Sequence, residues 1–218
     1  MQAIFETIFD IIYLSLVLIM GFKMIKNSKN GSVTRLFGIM SLILGFGDAF
    51  HLIPRSYGLL TTGLDANVVA LGIGKLITSI TMTIFYMILY YVWKKRYNVS
   101  GKNIITASIL SLGVLRIILC FLPQNQWTSS DAPLNWGIYR NIPFVVMGII
   151  LIILFFKSAK VNRDRTFSNM WLAITLSFAL YIPVVLFSKI YPLTGMLMIP
   201  KTVAYVWIVF MGYRTLTE

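Results

Sequence analysis

The sequence predicts an all-α, polytopic membrane protein: one seven-transmembrane-helix bundle with the N-terminus out and the C-terminus in. Three observations lead to this prediction. Of the 218 residues, 58% are apolar and only 12% are charged, with a mean hydropathy of +0.81, whereas about a quarter of the residues in a soluble domain are charged. Apolar runs long enough to cross a bilayer recur along the chain. Basic residues collect in alternate connections between these runs.

Seven apolar runs have the length of about 17 to 25 residues that a transmembrane helix requires. The first run contains Glu6 and Asp10 but lacks the basic start and the cleavage site of a signal peptide, so we expect it to be retained in a mature chain that begins near Met1. No linker or repeat separates the runs, so residues 1–218 are predicted to form a single transmembrane domain. The expected spans are approximately 3–22, 34–54, 68–93, 104–122, 141–157, 168–189 and 195–213.

The orientation follows from the tendency of cytoplasmic loops to carry lysine and arginine. The connections after the first, third and fifth spans are basic, and we predict that they are cytoplasmic and that the protein lies in the cell membrane. Most of the net charge of +12 is then explained by topology and by contact with anionic lipid headgroups, and no nucleic-acid partner is expected. The basic residues concerned are Lys23, Lys26, Lys29 and Arg35; Lys94, Lys95, Arg96 and Lys102; and Lys157, Lys160, Arg163 and Arg165.

Cysteine and histidine, the residues from which disulfides and most zinc sites are built, are almost absent from the chain. Cys120 is the single cysteine and His51 is the single histidine. A disulfide framework or a Cys/His zinc site therefore cannot be assembled from this chain. We predict neither a metal nor a cofactor.

Ionisable residues within the spans cluster toward the predicted outer end. Depth follows from the helical rise of about 1.5 Å per residue. A charge that faces lipid costs about 2.5 to 3.5 kcal/mol at the centre of a helix, so we expect these side chains to face the bundle interior. Lys189 is expected nearer the outer surface. The layer contains Glu6, Asp10, Asp48 and His51 as candidate catalytic residues, and Arg55, Lys75, Arg116, Arg140 and Lys201 as candidate ligand-binding residues.

Cations outnumber acids in this layer, which favours a bound anion. A phosphate or a carboxylate would satisfy the excess charge in a cavity that opens outward or toward the outer leaflet. We expect Lys75, Arg116 and Lys201 to converge on that cavity. Alternatively, the layer consists of ion pairs that hold the helices together or that line a water-filled vestibule open to the outside. The expected partners are membrane lipids and either a lysophospholipid or a small anion.

Two segments carry a resemblance to a known family. The segment "LGFGDAFHLIPRSYG", with the later "GIGKLITSITMTIFY", resembles the YhhN family of integral membrane lysoplasmalogenases, which hydrolyse the vinyl ether bond of lysoplasmalogens. Only Gly47 and Asp48 are carried over to this chain. The family typically has eight spans, and seven are predicted here.

The resemblance implies a hydrolase in which a carboxylic acid protonates the alkene and water adds to the resulting oxocarbenium ion. Asp48 with Glu6 or Asp10 is the expected acid pair, and His51 is expected to adjust its charge. Pro54 is expected to end its helix, and Gly47 to admit a neighbouring helix or a ligand. The alternative function is a transporter or receptor that binds a small anionic molecule without breaking a bond.

The predicted topology can be tested by labelling from outside the cell. A Lys95→Cys substitution should resist an impermeant thiol reagent in intact cells, because the connection after the third span is predicted to be cytoplasmic. A Ser129→Cys substitution should react, because its connection is predicted to be outside. The reverse labelling pattern would contradict the orientation.

Overall fold

The computed structural model describes residues 2–188 and 190–218. Seven helical segments of this part of the chain are long and apolar enough to cross a membrane, which confirms the prediction of a membrane-spanning all-α bundle. Met1 and Lys189, which were both named in the predictions above, lie outside the described residues. The helices are α1 (Gln2–Lys26), α2 (Val33–Leu60), α3 (Val68–Arg96), α4 (Asn103–Phe121), α5 (Leu134–Val161), α6 (Met170–Phe187) and α7 (Met198–Arg214).

The helices form a closed bundle. Each packs against its neighbour along the chain, and α7 also packs against α1 and α2. Helix α3 contacts α2, α4 and α5, and it buries Phe85, Tyr86, Leu89 and Tyr90 completely. The outward faces are apolar as well, because residues such as Ile12 are exposed, which is the surface expected of helices surrounded by lipid chains.

One end of the bundle, which we call the basic end, is where α1, α3, α5 and α7 finish. Arg96 donates to Asp164 through Nε at 2.9 Å and through Nη2 at 3.1 Å, and it also forms an ion pair with Glu218. Burial alone would raise the pKa of Asp164, but hydrogen bonds from Arg96 and from the Phe167 N–H hold that pKa below its ordinary value. These contacts join the end of α3, the α5–α6 connection and the last residues of the chain.

Helices α2 and α5 contain prolines that were predicted to lie at or near a helix end. Helix α2 continues through Pro54 to Leu60, so the expectation that Pro54 ends it is wrong. A proline at this position leaves the Phe50 carbonyl without its helical hydrogen bond, and Gly74 of α3 packs directly against that carbonyl. Helix α3 thus packs closely against α2 at the point where α2 continues through the proline. Helix α5 likewise begins at Leu134, earlier than expected, and contains Pro143.

Glycines set the close approach of α2 and α3. A Cβ on Gly47 would lie 2.0 Å from the Thr81 Oγ1, and a Cβ on Gly74 would lie 2.3 Å from the Phe50 carbonyl oxygen. The Thr78 hydroxyl donates to the Gly47 carbonyl at 3.0 Å. The neighbouring helix that Gly47 was expected to admit is therefore α3.

We predict that Gly74→Ala destabilises the protein by about 1 to 3 kcal/mol, because the added methyl meets the backbone of α2 and the helices must separate. Thermal unfolding of the purified protein measures the effect. Gly195→Ala is the matched control, since no atom of the described residues lies within 4 Å of a Cβ at that position. An unfolding temperature for Gly74→Ala equal to that of Gly195→Ala would contradict the packing described.

Candidate functional site

A ladder of polar side chains joins α1 to α2. The three residues that α1 contributes recur on one helical face, and each meets a partner on α2. The pair formed by Glu6 and Arg55 is an ion pair. It therefore agrees with the alternative in which ion pairs hold the helices together. The pairs are Glu6 Oε2 with Arg55 Nη2 at 2.9 Å, Asp10 Oδ2 with Ser56 Oγ at 3.3 Å, and Asp48 Oδ2 with the Tyr13 hydroxyl at 2.6 Å.

The deepest pair of the ladder leads into a larger group of polar residues at the centre of the bundle, away from the basic end. We call this group the central polar cluster. It draws on α1, α2, α4, α5, α6 and α7, so the closed bundle is needed to assemble it. Its members are Tyr13, Asp48, Arg116, Asn141, Tyr181, Lys201 and Tyr205.

Lys201 is buried, with 7% of its surface exposed. Its Nζ lies 4.6 Å from the centre of the Tyr181 ring and 5.1 Å from the centre of the Tyr205 ring, in the range of cation–π attraction. Asp48 attracts the ammonium group electrostatically, but the two do not form a direct ion pair among the described residues. The ammonium therefore lies against two aromatic rings with its charge only partly compensated.

Arg116 is the most deeply buried cation of the cluster, with 2% of its surface exposed. Its Nη2 donates to the Asn141 Oδ1 at 3.3 Å, and the Tyr181 hydroxyl donates to the same oxygen at 3.2 Å. The guanidinium carbon lies 3.4 Å from the centre of the Phe144 ring. Within the part of the chain that the structure describes, its Nε and Nη1 have no hydrogen-bond partner and no carboxylate contacts it.

The charges of the cluster do not balance. Arg116 and Lys201 are close enough to repel each other, and Asp48 is the one acid among the cluster's members. The Nε and Nη1 atoms of Arg116, which have no partner among the described residues, are donors, and so is the Lys201 ammonium, since neither side chain can accept a hydrogen bond. The arrangement is therefore suited to binding an oxyanion.

The other candidate ligand-binding residues lie outside the cluster. Lys75 is exposed on α3, so the expectation that it converges with Arg116 and Lys201 on one cavity is wrong for Lys75. Arg116 and Lys201 lie within electrostatic range of each other, and their convergence on a cavity stays a prediction. Arg55 is engaged by Glu6, as described above. Arg140 donates to the Asn125 Oδ1 at 2.9 Å and lies over the Trp127 ring at 4.2 Å, so it fixes the α4–α5 connection.

His51 contacts neither Asp48 nor any other carboxylate in the described residues. The backbone of Leu71 lies within hydrogen-bonding range of its ring, and Lys75 is near enough to act on it electrostatically. Its Nδ1 is buried and has no hydrogen-bond partner in the described part of the chain. The structure therefore places His51 at the α2–α3 contact, whereas the sequence predicted that it acts on Asp48.

The sequence analysis missed the tyrosines and the amide of the cluster. Tyr13, Tyr181 and Tyr205 lie in runs that hydropathy counts as apolar, and Asn141 falls at the predicted start of its span. Tyr13 could have been predicted from its spacing, because it lies on the same helical face as Glu6 and Asp10. Nothing in the sequence pointed to the other three.

Two clefts lie at the basic end, away from the cluster. One has a volume of about 360 Å³ and surrounds Arg96, Asp164 and Glu218. The other has a volume of about 540 Å³ and lies between the start of α2 and the end of α3.

Comparisons of the chain with models of protein families, with curated proteins and with solved structures find no match. The resemblance of the Gly47–Asp48 segment to lysoplasmalogenases stays a prediction. The geometry of the central polar cluster is the basis on which a function can be proposed.

Proposed function

We propose that the protein binds an oxyanion, a carboxylate or a phosphate, inside the membrane between Arg116 and Lys201, and that it acts as a receptor or transporter for a small anionic molecule or an anionic lipid head. One observation carries this proposal. Arg116 is 2% exposed, yet its Nε and Nη1 have no hydrogen-bond partner among the described residues.

The energetics of burial support a ligand at this position. A buried polar group without a partner costs about 1 to 3 kcal/mol, and a charged one costs more. Ionisable residues inside membrane helices are rare and are associated with functional sites. An oxyanion that accepts hydrogen bonds from Arg116 and neutralises part of its charge would remove this cost.

The surroundings of the two cations indicate what such a ligand resembles. The Phe144 ring covers one face of the Arg116 guanidinium, and the Tyr181 and Tyr205 rings line the Lys201 ammonium. These rings provide apolar surface beside the charged groups. We therefore favour an organic anion with an apolar part over a small inorganic ion.

The predicted orientation places the cluster in the outer half of the cell membrane. Lys201 lies in the first turn of α7 and Arg116 lies near the end of α4. With the N-terminus out, both positions are nearer the outside than the cytoplasm. The ligand is then taken from the extracellular side or from the outer leaflet.

Arg116→Met separates a ligand-binding role from a structural one. In the ligand-free protein we expect this variant to unfold at the same temperature as the wild type or higher, because it replaces an uncompensated buried charge with an apolar side chain of similar length. Sodium phosphate, sodium acetate or lysophosphatidic acid should raise the unfolding temperature of the wild type, relative to sodium chloride at equal ionic strength. Arg116→Met should lose that rise.

Arg55→Met is the matched control, because Arg55 is a cation of the same layer that already has Glu6 as its partner. It should unfold at a lower temperature than the wild type and keep the anion-dependent rise. A rise with lysophosphatidic acid alone would identify a lipid head as the ligand, and a rise with phosphate or acetate would identify a free anion. If none of the three anions stabilises the wild type and Arg116→Met is strongly destabilised, Arg116 is structural and the proposal fails.

One observation favours a hydrolase as the second candidate. Asp10 on α1 lies close enough to Asp48 on α2 for their charges to interact. Neighbouring carboxyl groups can share one proton, and acid-catalysed hydrolysis of a vinyl ether requires a proton donor beside a site that water can reach. Asp48 remains partly accessible. The lysophospholipid predicted from the family resemblance would be the substrate.

For this second candidate we predict that Asp48→Asn folds but abolishes the release of aldehyde from a 1-alkenyl lysophospholipid, because the amide cannot share or deliver the proton. Aldehyde formation by the purified protein is the measurement. Asp65→Asn is the control, since Asp65 lies in the short helical turn Asp65–Asn67 between α2 and α3 and outside the ladder. Full turnover by Asp48→Asn, or no turnover by the wild type, would eliminate the hydrolase.

A further inference from the structure

A groove lies at the basic end of the bundle, away from the central polar cluster. It is formed where α2 begins and α3 ends, has a volume of about 540 Å³, and we call it the α2–α3 groove. Its position at the end of two membrane-spanning helices places it at the level of lipid headgroups. The groove is lined by Leu36, Tyr91, Lys94, Lys95, Asn98, Val99 and Ser100.

The lining changes from apolar to polar along α3. Tyr91 lies one helical turn closer to the membrane interior than Lys95. It lines the groove, and 39% of its surface is exposed. Leu36 lies on the facing part of α2. Lys94 and Lys95 occupy the last turn of α3. The groove thus offers an apolar floor toward the hydrocarbon and ammonium groups toward the aqueous surface.

The two lysines have no carboxylate partner in the described part of the chain. The acids of the basic end are Asp164 and Glu218, and Arg96 binds both. The positive charge of Lys94 and Lys95 is therefore available to a ligand.

The backbone at the end of α3 holds the polar part of the groove in place. Asn98 adopts a left-handed conformation with φ of 48°, and the Val99 N–H donates to the Lys94 carbonyl at 2.9 Å. Together with the Asn98 N–H, which donates to the Lys95 carbonyl, this satisfies the last carbonyls of the helix. The lysine side chains thus project from a defined helix end.

We propose that the α2–α3 groove binds one anionic phospholipid, with the phosphate held by Lys94 and Lys95 and an acyl chain lying over Leu36 and Tyr91. Basic pockets between transmembrane helices bind anionic headgroups in this way. A zwitterionic lipid fits less well because its own cation lies beside the two lysines. The site is separate from the central polar cluster, so this proposal does not depend on the proposed function.

Native mass spectrometry of the purified full chain tests the site directly. The probes are phosphatidylglycerol and phosphatidylcholine with identical acyl chains, titrated into protein freed of lipid. We expect phosphatidylglycerol to bind more tightly than phosphatidylcholine. Lys94→Gln/Lys95→Gln should weaken phosphatidylglycerol binding by about 10- to 30-fold, the loss expected when two lysines near an anionic head are neutralised, and should leave phosphatidylcholine binding unchanged.

A matched control carries the same loss of charge elsewhere at the basic end. Lys157→Gln/Lys160→Gln removes two lysines from the end of α5, outside the groove, and should leave the affinity for phosphatidylglycerol within about twofold of the wild type. A loss as large as that of Lys94→Gln/Lys95→Gln would show that the whole basic surface attracts the lipid, and it would overturn the proposal. Equal binding of the two lipids by the wild type would also overturn it.

A second variant tests the groove without changing its charge. Ser100 is exposed at the rim of the groove, so Ser100→Trp should fill the groove without entering the core and should weaken phosphatidylglycerol binding. This variant decides the question if the double lysine variant fails to fold. Unchanged phosphatidylglycerol binding by Ser100→Trp would contradict a site in the groove.

Discussion

Hydrocarbon cannot solvate a charge, so each ionisable side chain within these helices must find its stabilisation inside the protein. The bundle meets this requirement in two ways. Between α1 and α2, acids meet donors directly, as Glu6 meets Arg55 and Tyr13 donates to Asp48. Around Arg116 and Lys201 the stabilisation comes from aromatic rings and one amide oxygen. The second solution leaves donors unused, and it is there that we place the ligand.

The polar ladder and the central polar cluster depend on how closely the helices approach. Gly47 and Gly74 allow α2 and α3 to pack backbone against backbone. Helix α2 continues through Pro54 to Leu60, which brings Arg55 and Ser56 opposite α1. Closure of the bundle by α7 against α1 and α2 then brings Lys201 within electrostatic range of Asp48. The site follows from these packing contacts.

The seven spans could be predicted from the sequence, and so could the inward position of most charged residues within them. Hydropathy and the free-energy cost of placing a charge in lipid can both be evaluated for one span without knowing which helices surround it. Depth could be predicted too, since the helical rise is fixed, and Arg116 and Lys201 lie within electrostatic range of each other. The direction in which a side chain points around its helix depends on which neighbour packs there. For that reason Lys75, expected at a similar depth, lies exposed. The roles of Tyr181 and Asn141 likewise depend on α5 and α6 lying side by side.

The central claim is that the buried donors of Arg116 serve a bound oxyanion. An anomalous difference map from crystals of the protein grown with bromoacetate or selenate tests it most directly, because either anion marks its own position. The account predicts a peak between Arg116 and Lys201, with anion oxygens within hydrogen-bonding distance of the Arg116 Nε or Nη1. A map with no peak there, in which protein groups occupy both nitrogens, would contradict it.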